Sequence, residues 1–66
     1  MEFIEKAQIR IEHWLTHNES HIKEYETFAE ELEAAGKNES AANIREMAAL
    51  AAQSNVCLRR ALNALD

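Results

Sequence analysis

Apolar residues recur along this chain every three or four positions. From the N-terminus the first series is Ile4, Ala7, Ile11, Trp14, Asn18, His21, Tyr25, Phe28, Leu32 and Ala35. A second series runs Ala41, Ile44, Ala48, Ala51, Asn55, Leu58, Leu62 and Leu65. An unbroken three–four alternation is the signature of a helix with one buried seam. Two helices are therefore expected, helix 1 at about 2–35 and helix 2 at about 39–65. Between them lies Gly36, the only glycine, and there is no proline anywhere. Glycine after a helix allows a left-handed closing residue at little steric cost. A turn at 36–38 follows, with Asn38 or Ser40 as the cap of helix 2. The expected fold is all-α: one domain, 1–66, an antiparallel helical hairpin.

Each seam has a polar break, Asn18 and His21 in helix 1 and Asn55 in helix 2. A fold at Gly36 brings these breaks to one height. A polar core layer of Asn18, His21 and Asn55 would fix register at some cost in stability. Replacing Asn18 or Asn55 by leucine is then expected to stabilise the fold and loosen its register. Apolar side chains also lie beside both seams. Leu15, Ile22, Met47 and Leu50 would stay wet in a lone hairpin. They are the expected dimer interface of a homodimer, a four-helix bundle.

Composition narrows the classes. Sixty-six residues make one small domain. A single cysteine, Cys57, excludes an intrachain disulfide. Twelve acidic against seven basic residues give a net charge of −5, which repels phosphate backbones and argues against nucleic-acid binding. No apolar run is long enough for a membrane span, and the first residues are acidic where a secretion signal would be basic. A cytoplasmic location is the resulting expectation. No nucleophile–base arrangement or glycine-rich phosphate loop is present, so no enzyme is expected.

All three histidines fall in one window, His13-Trp14-Leu15-Thr16-His17-Asn18-Glu19-Ser20-His21. Spacing of four stacks them along one helix face. His13 and His21 are about 12 Å apart along the axis, too far to share one ion. Metal ligation would use His17 with His21, completed by Glu24 or a dimer mate, or else the exposed pair His13 and His17. Imidazole ligands suit zinc, nickel, copper and iron alike; zinc or nickel is the expected ion, with no other cofactor. The principal functional reading is a non-enzymatic dimeric interaction or scaffold module. The alternative is a transition-metal-binding module on the histidine stripe.

That histidine window resembles the HW-x-x-HN-x-x-H signature of an uncharacterised family of small helical domains from archaea and anaerobic bacteria. The similarity continues through Tyr25, the Ala35-Gly36 turn and the alanine-rich second helix. The resemblance implies a metal-associated module and adds weight to His13, His17, Asn18 and His21. Family members also occur behind histidine-rich tracts, which this chain lacks. The hairpin is similar in architecture to the dimeric repressor-of-primer proteins. Those bind RNA, which the acidic balance here disfavours.

Overall fold

A computed structural model describes residues 2–66. Two helices fill it, α1 from Phe3–Ala34 and α2 from Asn38–Asn63. They pack against each other as a hairpin with extents of 51 × 16 × 10 Å. The length is that of α1 itself, 32 residues rising about 1.5 Å each. Among the described residues there is no β-strand.

Gly36 closes α1 with φ of +81°. Its N–H donates to the Glu33 carbonyl at 2.9 Å, and the Lys37 N–H donates to the Leu32 carbonyl at 2.8 Å. These are the two bonds of a Schellman ending, which needs a left-handed residue at that position. The turn occupies 35–37, one residue earlier than the sequence suggests. Helix α2 begins at Asn38, its cap position is Lys37, and no side chain caps it. Asn38 and Ser40 lie inside the first turn instead, because Ala41 N–H already bonds to the Lys37 carbonyl at 2.9 Å. Gly36→Ala would meet no atom within 4 Å, so steric space is not the issue. The left-handed backbone is, and the variant should lose about 1 kcal/mol in urea unfolding with an unchanged m-value.

The α2 seam is the expected one. Ala41, Ala48 and Asn55 are buried, and Ile44, Ala51, Leu58, Leu62 and Leu65 are half-buried between them. The α1 seam is rotated by one residue from expectation. Its inner positions are Ile11, Leu15, Asn18, Ile22, Tyr25, Ala29 and Leu32. Leu15 is 6% exposed, whereas Trp14 is 48% exposed. Four residues, Ile11, Asn18, Tyr25 and Leu32, belong to both readings. The remaining seam positions can be filled from either side, and packing decides. The facing α2 seam places alanine at Ala41, Ala48 and Ala51, which leaves little side-chain bulk between the helices there. Leucine and alanine fit that gap, while Trp14 and Phe28 would hold the helices apart. They are displaced to the rim.

Leu15 therefore belongs to the hairpin's own core. Ile22 is half-buried at the same interface. Neither stands on an outer apolar face, contrary to the sequence expectation that both are left wet.

Candidate functional site

The rotated seam divides the hairpin into two unlike faces. On one flank of the α1 seam, glutamate occupies every heptad: Glu5, Glu12, Glu19, Glu26 and Glu33. These lie on the side where Glu19 pairs with Arg59 at 3.2 Å and Glu33 with Arg45 at 2.6 Å. A shallow groove on that side is lined by Ile22, Glu26 and Glu30 of α1 and by Arg45, Ala49 and Ala52 of α2. Both ion pairs are solvent-exposed, so each contributes at most about 1 kcal/mol.

The other flank of α1 carries Ala7, Trp14, His21 and Phe28 at the same seven-residue spacing. On α2, Met47, Ser54 and Ala61 occupy the row across from Arg45, Ala52 and Arg59 about the inner seam, with Leu50 and Cys57 just outside it. Since the arginines mark the charged face, these residues share the second face with Trp14, His21 and Phe28. No residue in the two rows bordering that seam is charged. The histidine stripe thus runs along the edge of a partly aromatic face, in an outer row where Arg10, Glu24 and Glu31 carry charge.

His17 and His21 meet on that edge. Their Nε2 atoms are 2.9 Å apart, with ring centroids at 4.4 Å and planes at 85°. One ring's Nε2–H donates to the other ring's Nε2. His21 also stacks on Tyr25 at 6.0 Å. His17 is exposed and His21 half-buried. His13 lies roughly parallel to His17, with ring centroids 6.0 Å apart. Glu24 approaches the other nitrogen of His21, with Oε2 at 3.8 Å from Nδ1. It stands away from the paired Nε2 atoms, where it can orient the His21 ring but not join both nitrogens on one ion. Among the described residues, no group of three His, Cys, Asp or Glu side chains is placed to hold a metal.

The inner polar layer is a pair of asparagines. Asn18 Nδ2 donates to Asn55 Oδ1 at 2.9 Å, and Asn55 Nδ2 donates to the Leu15 carbonyl at 3.4 Å. Asn55 is buried, and no buried side-chain nitrogen or oxygen lacks a partner among the described residues. His21 does not join this layer. It turns to His17 at the rim, because the rotated seam puts Ile22 in the inner row. Trp14 and Phe28, expected inside the seam, lie on this face instead. The glutamate at every heptad was a usable signal for them, since a row of exposed charge on one flank places the seam next to it.

A charged face and an uncharged face on one antiparallel hairpin define a small helical module with a single apolar flank. No described helix is long and apolar enough to cross a membrane. Residues 7–65 match the family model described as Domain of unknown function (DUF8180), and the chain belongs to that family. No curated protein and no solved structure matches the chain.

Proposed function

We propose that this chain is a non-enzymatic interaction module that pairs with a second copy of itself through the Trp14–His21–Phe28 face. The observation that carries the reading is the segregation of charge. A chain of net charge −5 with glutamate at every heptad of one flank resists pairing through that flank. The opposite flank is free of charge in its two inner rows and leaves large apolar side chains in water. Phe28 is 50% exposed, Leu50 60% and Met47 39%. Such rows on a hairpin are covered economically by a second hairpin, giving a four-helix bundle.

The spacing suits a two-fold axis. His21 lies seven residues from both Trp14 and Phe28, near the middle of the paired stretch. Antiparallel pairing about His21 sets Trp14 of one copy against Phe28 of the other, twice over, as an isologous interface requires. The dimer then displays both Glu/Arg faces outward. Met47 and Leu50 remain in the interface as the sequence suggests, and Trp14 and Phe28 replace Leu15 and Ile22.

The test is the mass by sedimentation equilibrium at about 100 µM, followed on dilution. A mass of twice the chain, dissociating on dilution, is expected. A chain-mass species throughout would rule the reading out.

A further inference from the structure

Two imidazole nitrogens pointing at one another from successive helix turns are the beginning of a chelate. With metal–imidazole bonds of about 2.0–2.1 Å, a right-angled pair of ligands has its nitrogens about 2.9 Å apart, and a tetrahedral pair about 3.3 Å apart. The His17–His21 separation of 2.9 Å meets the first and lies a small side-chain rotation from the second. One hairpin supplies these two nitrogens and no third. The pair nevertheless sits beside the Trp14–His21–Phe28 row, at the level where the proposed two-fold axis crosses α1.

We propose that His17 and His21 clamp a divalent transition-metal ion at the dimer interface, with further coordination from the histidines of the second copy. This rests on the dimer reading above. Imidazole donors without thiolate select the zinc, nickel and copper class over magnesium or calcium. Both rings must present an Nε2 lone pair to the ion. The ring that donates in the metal-free pair therefore moves its proton from Nε2 to Nδ1 through solvent, with no net change in charge. On His21 the Nδ1–H then faces Glu24, 3.8 Å away in the metal-free form, a carboxylate–histidine arrangement that favours ligation.

The defining consequence is reciprocity. If the second copy contributes ligands, metal must tighten the dimer, and loss of the dimer must weaken the metal by the same factor. The probes are zinc and nickel chlorides, read by calorimetric titration and by sedimentation in metal and in chelator. At free metal 100 times its Kd, the dimer should tighten roughly 100-fold. Leu50→Glu and Leu50→Arg, which bracket any simple charge effect, should both bind metal at least roughly 100-fold more weakly. His17→Ala should lose binding by a similar factor while remaining helical and dimeric in chelator, and His21→Ala should lose it as well. His13→Ala should bind as the parent does.

Parent-like metal affinity in monomeric Leu50 variants would overturn the proposal, because the second copy would then contribute nothing. So would equal damage from His13→Ala and His21→Ala. A protein that is dimeric in chelator yet binds neither ion overturns this inference alone. A protein that stays monomeric in chelator and in metal overturns the dimer reading, and this inference with it.

Discussion

Leu15→Ala should destabilise the hairpin by about 3 kcal/mol, the largest effect expected of any single truncation in the chain. Among the described residues Leu15 is the one large apolar side chain that is buried. The other buried apolar positions are Ala29, Ala41 and Ala48. The other large apolar seam residues are half-buried, so Leu15 is the most completely desolvated of them. A small domain holds only about 5 kcal/mol or a little more in reserve, and the variant should keep about 2 kcal/mol of it. The neighbouring Trp14→Ala change separates core from rim. Its cost should be small at high dilution, where the chain is alone, and should grow with concentration as pairing buries the indole. Urea unfolding at two concentrations distinguishes the two positions. A larger cost for Trp14 than for Leu15 at dilution would return the seam to the aromatic row.

The second large effect concerns the asparagine pair. Asn18→Leu alone should cost about 2 kcal/mol, because Asn55 Oδ1 is buried and loses its donor. The double change Asn18→Leu with Asn55→Leu should be near neutral or stabilising, since both polar partners leave together. The non-additivity read from the four chemical-denaturation curves should exceed about 1 kcal/mol. Sequence alone suggests that either single leucine stabilises. The observed hydrogen bond changes the sign for the single change and leaves the double one as the stabilising case. Additive single and double effects would show that the amides do not depend on one another.

What could be read in advance follows the physics of each element. The turn was legible because one glycine follows one helix, and only a left-handed residue completes the two closing bonds at Glu33 and Leu32. The α2 seam was legible because Ile44, Leu58, Leu62 and Leu65 fall on one three–four spacing with Asn55. The α1 seam was degenerate. Ile11, Asn18, Tyr25 and Leu32 are common to two adjacent rows, and hydrophobicity favours the aromatic one. Close approach to an alanine surface favours the other, and closeness of approach is a property of both helices together. The histidine spacing placed three rings on one side of α1. It could not specify that His17 turns an Nε2 to His21 while His13 stacks flat, nor that Glu24 meets Nδ1 and not Nε2, because these depend on side-chain rotation. The same rotation of the seam carried Leu15 inward and left Trp14 and Phe28 at the edge of the uncharged face.

In the proposed dimer this face, and not the glutamate face, is where two copies meet. Leu50 and Val56 permit a matched comparison. Both are exposed apolar residues of α2, Leu50 beside Met47 on the uncharged side and Val56 on the side of Arg59. Sedimentation equilibrium of the parent, Leu50→Glu and Val56→Glu at one concentration near 100 µM is the direct measurement. The parent and Val56→Glu should have twice the chain mass, and Leu50→Glu should have the chain mass with its helical signal retained. A dimeric Leu50→Glu, or a Val56→Glu that alone falls to the chain mass, would contradict the account.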